Sequence, residues 1–239
     1  MTYTATQLIT NAYYLTGIVS RDLQTISGSQ LNDGLYLLNE LLDVKSANTR
    51  LIPYFTKYSL TLVLNQEQYF VPNLIETEVM NFYIDTVRYQ MFPLNRRAYF
   101  GSARVENIQS LPFNYHVERT LGGSNVFVYF FPSAQVTLIP AQIWGKFGLT
   151  DVTFNQDLSL TYDKFYIAYL RYALGDYICG EYNITLQPQA LSRLKQLEQI
   201  ISDISPVDLT IGKLSMFGGD GGLNWGDVNI GDGMRPVGS

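Results

Sequence analysis

Two stretches near the start of the chain have the apolar spacing of amphipathic helices. Thr4 and Gln7 match the Ser/Thr-x-x-Gln spacing of a capping box, and the apolar residues after them recur at helical spacing until Gly17. Ser27 and Gln30 repeat this signature ahead of a longer helix, which is predicted to reach about residue 47. The main apolar stripe of the second helix consists of Leu31, Leu35, Leu38 and Leu42. Further leucines widen this stripe beyond the need of a simple surface helix, so we expect it to pack against more than one neighbour.

The apolar period changes to two from residue 52 onward, which is typical of β-strands. Residues 54–64 are predicted as a strand and residues 68–71 as its hairpin partner. Residues 52–157 are expected to form a β-rich domain of antiparallel strands. Its further predicted elements are strands at 82–89, 114–118, 126–131 and 136–147, a hairpin turn at Gly122-Gly123 and a short helix at 96–99.

Helical spacing returns at residues 162–180 and again at 188–204, where each stretch carries one apolar stripe. The order of elements therefore predicts an α+β fold. In this fold the helix pairs within residues 1–51 and 158–205 pack together as a four-helix bundle, and the β domain at 52–157 is inserted between them.

The composition changes abruptly in the last part of the chain, residues 206–239. Residues 212–239 contain nine of the 19 glycines, and such a segment buries too little apolar surface to offset its ordering entropy. Large apolar side chains nevertheless occur along it: Leu214, Met216, Phe217, Leu223, Trp225 and Ile230. We interpret the segment as a Gly-rich extended arm whose apolar anchors dock on a partner protein. The alternative is a disordered terminus in which the aromatic residues have no role.

Charged residues make up only 15% of the 239-residue chain, against about a quarter in an average soluble domain. Polarity comes instead from uncharged side chains, including 18 tyrosines, which a protein interface buries more easily than Lys or Glu. This composition favours an assembly subunit, with a tyrosine-rich monomer as the alternative. The net charge of −5 disfavours tight nucleic-acid binding. Because the chain has one Cys and one His, we exclude disulfide scaffolds and zinc clusters and expect no cofactor or metal.

Residues with the chemistry of an active site are few. His116 lies in a predicted strand and Cys179 on the apolar side of a predicted helix, so we interpret both as packing residues. Glycoside hydrolysis needs only two carboxylates, for which the candidates are Glu76, Glu78 and Asp85. Their spacing does not indicate a pair across a cleft, and solvated surface acids are the favoured interpretation. We expect a protein that is not an enzyme.

A local concentration of arginines lies beside two aromatic residues. Arg96, Arg97 and Arg104 are close in sequence to Tyr99 and Phe100. Basic and aromatic side chains together bind single-stranded nucleic acid in some proteins. An ion pair with a neighbouring subunit explains the arginines equally well.

The order of the elements and several sequence patterns are informative together. The first helix has the form Thr-x-x-x-Leu-Ile-x-x-Ala at residues 4–12, and the second reads Leu-Asn-Asp-Gly-Leu-x-x-Leu-Asn-Glu-Leu-Leu at 31–42. A tyrosine-rich strand and hairpin follow at 58–71, and a tyrosine-rich helix lies at 162–180. Across residues 4–204 this pattern resembles the bacteriophage head-to-tail adaptor proteins, also called tail accessory factors or head-completion proteins, and in particular the longer members that carry a β domain.

The resemblance implies a viral structural protein that forms a ring of about twelve copies, docked under the portal protein at the tail vertex. Such a ring extends the DNA channel, through which genomic DNA passes without specific binding, and it is the platform for the next tail or nozzle protein. The leucine stripe at 31–42 would then pack neighbouring helical bundles, and the arm would reach the portal. Residues 1–15 lack the basic region of a signal peptide, and no apolar run is long enough to span a membrane. The expected location is the virion, and the host cytoplasm during assembly.

Two alternatives stay open for the function. Another neck or tail ring protein, such as a nozzle or tube-completion protein, would form the same kind of assembly with a different neighbour. A carbohydrate-binding or carbohydrate-cleaving β module would place the aromatic residues in an exposed groove. For cleavage it would also need two carboxylates about 5 to 9.5 Å apart.

Overall fold

The computed structural model describes residues 2–101, 108–132 and 138–204, together with the backbone of strand residues 228–229 and 235–236. Met1–Pro206 forms one compact unit and Val207–Ser239 forms a second. In the second unit, Val228–Asn229 pairs antiparallel with Arg235–Pro236. The six predicted anchors of the arm lie outside the described residues.

The fold of the first unit is mixed α+β, as predicted, with five helices and a large curled sheet among its described residues. The helices are α1 (Ala5–Thr16), α2 (Gly28–Ser46), α3 (Arg96–Phe100), α4 (Lys164–Glu181) and α5 (Pro188–Ile204). The strands are β1 (Thr56–Val63), β2 (Gln68–Pro72), β3 (Leu74–Ile84), β4 (Val87–Pro93), β5 (Gln109–Ser110), β6 (Asn114–Thr120), β7 (Gly123–Tyr129), β8 (Phe131–Pro132) and β9 (Leu138–Phe147). We call α1, α2, α4 and α5 the helical part, and β1–β9 with α3 the sheet part.

Both N-terminal helices begin with the capping boxes that the sequence predicts. Gln7 N donates to Thr4 Oγ1 at 3.3 Å, and Thr4 N donates to Gln7 Oε1 at 3.0 Å. Ser27 and Gln30 make the same reciprocal pair at the start of α2. Gly17 ends α1 in the left-handed conformation, with φ of 76°, which glycine adopts without strain. These local signals set the helix boundaries within a residue or two of the prediction.

The buried side chains of the helical part come from all four of its helices. They include Leu8, Ile9, Leu38, Leu41, Leu42, Tyr166, Leu170, Leu174, Leu197 and Ile201. Glycines allow close helix approach, because a methyl group at Gly34 of α2 would overlap Ile9 Cγ2 and one at Gly175 of α4 would touch Leu15. The ion pair between Lys45 Nζ and Glu198 Oε1, at 3.2 Å, joins α2 to α5.

The main sheet of the sheet part has seven strands in the order β1-β9-β3-β4-β6-β7-β2. All neighbours are antiparallel except β4 and β6, which pair in parallel at Phe92–Asn114 and Pro93–Tyr115. The short strands β5 and β8 form a separate parallel pair. The sheet curls around its own core, which includes Leu62, Val71, Met80, Phe82, Met91, Val126, Val128, Ile139 and Ile143.

The predicted hairpin between residues 54–64 and 68–71 is wrong. β1 pairs with β9 and β2 pairs with β7, so the two strands lie at opposite edges of the sheet. The Tyr69 hydroxyl turns the chain between them, since it accepts a hydrogen bond from Val63 N at 2.8 Å and lies 3.0 Å from the Gln66 carbonyl oxygen. Asn65 adopts a φ of 58° in the same corner. The apolar alternation was therefore correct, but it did not identify the partner strand.

The predicted single strand at 82–89 is also wrong, because a tight turn divides it. Ile84 pairs with Val87, and Asp85 at the turn adopts a φ of 50°, which a short polar side chain tolerates. The result is the β3–β4 hairpin, with β3 beginning at Leu74. The β6–β7 hairpin is confirmed, with Gly122 at a φ of 76° in its turn.

Polar contacts join the helical part to the chain that leaves β9. Ser46 Oγ accepts a hydrogen bond from Leu149 N at 2.8 Å, and Asn39 Oδ1 accepts one from Val152 N at 2.9 Å. Both side chains lie on α2. These bonds hold the segment that follows β9 against α2, the helix that precedes β1.

Candidate functional site

The predicted short helix with two arginines is α3, and its aromatic residue anchors it to the sheet. Asn95 Oδ1 caps the helix by accepting a hydrogen bond from Ala98 N at 2.7 Å. Tyr99 is fully buried, and its hydroxyl donates to Glu67 Oε1 at 2.7 Å and lies 3.1 Å from the Val128 carbonyl oxygen. The helix is thus held on the outside of the sheet by a buried ring and a charge-assisted hydrogen bond.

An aromatic cluster surrounds Tyr99 at this corner. The Phe100 ring lies 5.5 Å from the His116 ring and 5.3 Å from the Phe127 ring, and the Tyr99 and His116 rings stack at 5.6 Å. His116 Nδ1 is 2.9 Å from the Leu94 carbonyl oxygen, an arrangement that places the proton on Nδ1. Its Nε2 is buried and has no hydrogen-bond partner among the described residues. This geometry agrees with the interpretation of His116 as a packing residue.

The arginines of α3 divide between an internal ion pair and the solvent. Arg96 Nη2 lies 3.1 Å from Glu118 Oε1 on β6, with the Arg96 side chain 78% exposed. Arg97 is exposed as well, and Arg104 lies outside the described residues. The pairing of Arg96 is therefore within the chain, whereas both sequence interpretations had assigned it to another molecule. Phe100 remains about half exposed at 51%, so the corner presents an aromatic surface.

A second exposed surface is a groove on the outer face of β3, β4 and β9. Its volume is about 670 Å³, and it is lined by Glu78, Val79, Asn81, Arg88, Gln90 and Trp144. Trp144 is 41% exposed, and Lys57 Nζ lies 5.9 Å from the centroid of its ring. Alongside the groove, the Tyr83 hydroxyl donates to Gln142 Oε1 at 3.1 Å. The surface combines one exposed aromatic ring with amide groups that both donate and accept hydrogen bonds.

The three candidate carboxylates do not converge on this groove. Glu78 is the one carboxylate among the groove residues, while Glu76 lies opposite Lys146 in the β3–β9 register. Asp85 forms the turn of the β3–β4 hairpin at the end of the strands. One carboxylate therefore lines the groove, whereas glycoside hydrolysis by a pair of carboxylates needs two.

Lys146 is a buried charge that the sequence analysis missed. Its Nζ donates to the Thr49 carbonyl oxygen at 2.6 Å and lies 5.0 Å from the centroid of the Phe55 ring. Burial lowers the pKa of the Lys146 amine, and the nearby carboxylates of Glu76 and Glu78 oppose that shift. The available signal was a single charged residue, beside Gly145, in a mainly apolar strand. Its contacts tie β9 to the segment that follows α2.

The leucine stripe predicted for contacts between subunits is largely used inside the chain. Leu38 and Leu42 are each 1% exposed and belong to the core of the helical part, so they have no surface left for a neighbour. Leu31 and Leu35 are partly buried against the same core. The broad face of α2 does meet more than one neighbour, but these neighbours include α1 and α4 of its own chain.

Cys179 is buried, as expected, beside Leu186 and Ala190. Burial raises the pKa of its thiol, with the charge of Asp176 adding to the shift, and a protonated buried thiol is a poor nucleophile. In the part of the chain that the structure describes, no three acidic, His or Cys side chains are grouped to hold a metal ion. No helix among the described residues is long and apolar enough to cross a membrane.

Comparison with known proteins does not assign this chain to a family. The sequence matches no family model, and no curated protein matches it. The functional hypothesis therefore depends on the element order, the two exposed surfaces and the chemistry of their residues.

Proposed function

We propose that this chain is a structural subunit of a bacteriophage head-to-tail connector, a ring-forming adaptor that docks under the portal. The observation that carries the proposal is the division of the first unit into two main cores. One core draws on helices from both ends of the chain, and the residues between them form a second core in the curled sheet. This is the arrangement that the adaptor resemblance implies. A ring of such subunits would extend the DNA channel and present its sheet parts to the next tail component.

In this proposal α1, α2, α4 and α5 form a four-helix bundle, and bundles of adjacent copies pack side by side. The surface for that contact is not the buried stripe of α2 but the apolar side chains that the helices leave exposed. Tyr36 and Val44 on α2 are 71% and 49% exposed, and Ile200 and Ile204 on α5 are also exposed. Large exposed apolar side chains on neighbouring helices are typical of contacts between subunits.

The arm and the exposed aromatic side chains supply the contacts with other proteins. We assign the Gly-rich arm to the portal because its anchors, such as Phe217 and Trp225, alternate with glycines that let an extended chain follow a partner surface. The tail or nozzle protein would meet the half-exposed Phe92 and Phe100 of the sheet part. The low content of charged residues suits a channel along which DNA slides without being held.

Native mass spectrometry of the full chain, alone and mixed with the portal protein of the same phage, tests the proposal. We expect a ring with one copy per portal subunit. A chain that stays monomeric and ignores the portal would contradict it. A ring that binds a tail subunit but not the portal would favour the alternative of a nozzle or tube-completion protein.

Two variants test the role of the arm. A chain ending at Pro206 and the full-length double variant Phe217→Ala/Trp225→Ala should both lose portal binding. Both should keep the far-UV circular dichroism of the first unit, because Met1–Pro206 is compact by itself. Leu121→Ala, at a fully exposed turn between β6 and β7, is the matched surface control and should bind normally. Normal docking by the truncated chain would refute the role of the arm.

The groove at Trp144 favours one second candidate, a carbohydrate-binding module. An exposed indole ring beside Asn81 and Gln90 offers a stacking face together with amide hydrogen bonds, the contacts that a sugar ring uses. Titration of a Trp225→Phe background with a panel of oligosaccharides, followed by Trp144 fluorescence, tests it. Saturable quenching that Trp144→Ala abolishes and Phe92→Ala preserves would support it, whereas a flat signal across the panel would exclude it.

A further inference from the structure

The main sheet ends at two edge strands, β1 and β2, and the two edges differ in how they are protected. β2 has five residues and ends at Pro72, and short length and proline are among the features that keep a sheet edge from pairing with other chains. β1 has eight residues and no proline, and its register with β9 runs from Thr56 to Val63 without a bulge. Among the residues that the structure describes, no strand pairs with the second edge of β1. The chain thus presents one long and regular sheet edge.

The corner at Tyr69 shows which backbone groups of β1 face this open edge. Val63 N donates to the Tyr69 hydroxyl at 2.8 Å, and the Val63 carbonyl oxygen lies 3.2 Å from the same hydroxyl, so both groups point away from β9. In an antiparallel pair, residues that bond to the partner strand alternate with residues that face away from it. Lys57, Ser59 and Thr61 therefore also direct their N–H and C=O groups to the open edge. Outside the β1–β9 pairing, the backbone of these three residues makes no hydrogen bond to another described residue.

The side chains of β1 divide between the two faces of the sheet. On the outer face the exposed side chains are Lys57, Ser59, Thr61 and Val63. Tyr58 and Leu60 lie on the inner face, where they are only partly buried against the core of the sheet part. A strand added at the open edge would cover both of these apolar side chains. Lys57 is the one charged residue of β1, so the edge does not call for a strongly charged partner.

The sequence of β1 is complementary to itself. Two copies related by a two-fold axis at Ser59 would pair Ser59 with Ser59 and Lys57 with Thr61, which uses all three residues whose backbone groups are free. Phe55, which precedes β1 and is 46% exposed, would meet Val63 of the second copy, which is 40% exposed. Pairs of an aromatic and a β-branched residue stabilise antiparallel sheets, and each lysine would face a threonine instead of the other lysine. We infer that the open edge of β1 joins two copies of this chain as an antiparallel strand pair centred on Ser59.

This dimer goes beyond the proposed ring. A two-fold contact uses the same patch on both copies and closes after two, whereas the contacts of a ring join two different surfaces. The edge dimer is therefore a state of the free chain. In this state the long edge, which is otherwise a template for aggregation, is covered before assembly. The dimer uses none of the exposed helix side chains that we assign to the ring contact.

Sedimentation velocity of the full chain without the portal, across the micromolar range, tests the inference, and the wild-type chain should dimerise. Ser59→Pro should weaken dimerisation by about tenfold or more, because it removes the N–H groups of both copies at the axis. Since the Ser59 N–H faces away from β9, a proline there leaves the β1–β9 hydrogen bonds in place, and the far-UV circular dichroism should be unchanged. Ser59→Ala keeps the backbone N–H and is the control, which should dimerise like the wild type.

Charge variants locate the axis without a change in the backbone. Ser59→Lys and Ser59→Glu each place like charges directly opposite one another, so each should dimerise about fivefold more weakly than the wild type. An equimolar mixture of the two should regain the dimer, because a lysine then faces a glutamate. The same two substitutions at Ser29, an exposed residue of α2, are the control and should leave dimerisation unchanged.

Three results would overturn the inference. They are a chain that is monomeric at every concentration, self-association that Ser59→Pro and both charge variants leave unchanged, and a mixture of the charge variants that dimerises as weakly as each one alone. The portal is absent from all of these measurements, so their outcome is separate from the test of the proposed ring.

Discussion

The helical part and the sheet part fill their cores with different side chains. The core of the sheet part is mainly aliphatic, with Phe82, Tyr69 and Tyr115 as its buried rings. The core of the helical part, as described, contains four buried tyrosines: Tyr13, Tyr162, Tyr166 and Tyr169. A buried tyrosine supplies a large apolar ring and also a hydroxyl that needs a partner.

The hydroxyls of the helical part connect it to the segment that leads into β1. Tyr166 Oη donates to the Leu51 carbonyl oxygen at 3.2 Å, and Tyr54 Oη accepts a hydrogen bond from Asp163 N at 3.0 Å. In the sheet part, the Tyr69 hydroxyl shapes the corner between β1 and β2. In this chain the tyrosine rings therefore provide buried apolar surface, whereas their hydroxyls connect one segment to another.

The largest expected effect comes from removing a core side chain in either part. Leu170→Ala in the helical part should lower the free energy of unfolding by about 2–5 kcal/mol, and Phe82→Ala in the sheet part by about 3–5 kcal/mol, because each leaves a cavity. Denaturant titration should follow the helices by far-UV circular dichroism and the sheet by Trp144 fluorescence, in a Trp225→Phe background. Since both parts belong to one compact unit, the two signals should shift together.

The control is Leu160→Ala, at a side chain that is 86% exposed, which should change stability by less than about 0.5 kcal/mol. A Leu170→Ala variant in which circular dichroism shifts but Trp144 fluorescence does not would mean that the two cores unfold independently. The helical part and the sheet part would then be two domains instead of one cooperative unit.

A smaller effect is expected from crowding the contact between α1 and α2. Gly34→Ala places a methyl group against Ile9 Cγ2 and should cost about 1–3 kcal/mol by overpacking. Gly28→Ala in the same helix is the matched control, since open space surrounds that position and the change should be neutral or slightly stabilising. Thermal unfolding of the two variants tests this expectation. Equal midpoints would show that Gly34 does not determine the distance between α1 and α2.

Alkaline pH should weaken both parts through their buried tyrosines. Burial raises the pKa of Tyr162 in the helical part and of Tyr115 in the sheet part to about 12 each. An unfolded tyrosine loses its proton near pH 10 while the folded one keeps it. The free energy of unfolding therefore falls as the pH rises above 10, by about 1.4 kcal/mol per pH unit for each tyrosine. Tyr162→Phe and Tyr115→Phe should each make this slope shallower in urea titrations between pH 8 and 11, and an unchanged slope would contradict the assignment.

The smallest expected effects on stability come from removing the ion pair in each part. Lys45–Glu198 has side chains 19% and 35% exposed, whereas Arg96 in the Arg96–Glu118 pair is 78% exposed. Glu198→Gln should lower the free energy of unfolding by about 1 kcal/mol, and Glu118→Gln by about 0.5 kcal/mol or less. Urea titrations at low and high salt measure both, and the loss at Glu118 should vanish in 1 M salt. A larger loss at Glu118 would mean that α3 depends on its ion pair more than on Tyr99.

The helices were predictable because their signals are local. Thr4 and Ser27 with their glutamine partners mark where α1 and α2 begin, and residues within one helix determine its period. The pairing of strands was not predictable in the same way. Alternation along residues 54–64 and 68–71 identifies strands, but the corner made by Tyr69 depends on contacts that only the folded chain supplies.

The candidate surfaces could not be predicted for the same reason, because they depend on contacts that form only in the folded chain. Tyr13 follows the helical period like any core residue, and nothing in the sequence indicates that it lines a pocket together with Asp33 and Glu181. Trp144 belongs to a predicted strand, yet its groove requires the β3–β4 hairpin that the sequence analysis joined into one strand. The sequence analysis assigned Leu38 and Leu42 to contacts between subunits, whereas the structure buries both in the core of their own chain. An apolar stripe on one helix does not indicate whether the same chain or another chain covers it.

The shared core of the helical part has a consequence for the time course of synthesis. α1 ends at Thr16 and α4 begins at Lys164, so about 150 residues must be translated before the two helices can meet. At about 5–20 residues per second, a ribosome needs roughly 7–30 s for that stretch, long after isolated helices equilibrate. During this interval the faces of α1 and α2 that α4 covers in the folded chain have no partner, while the strands of the sheet part are translated. All strands of the sheet part are thus translated before the two ends of the helical part can meet.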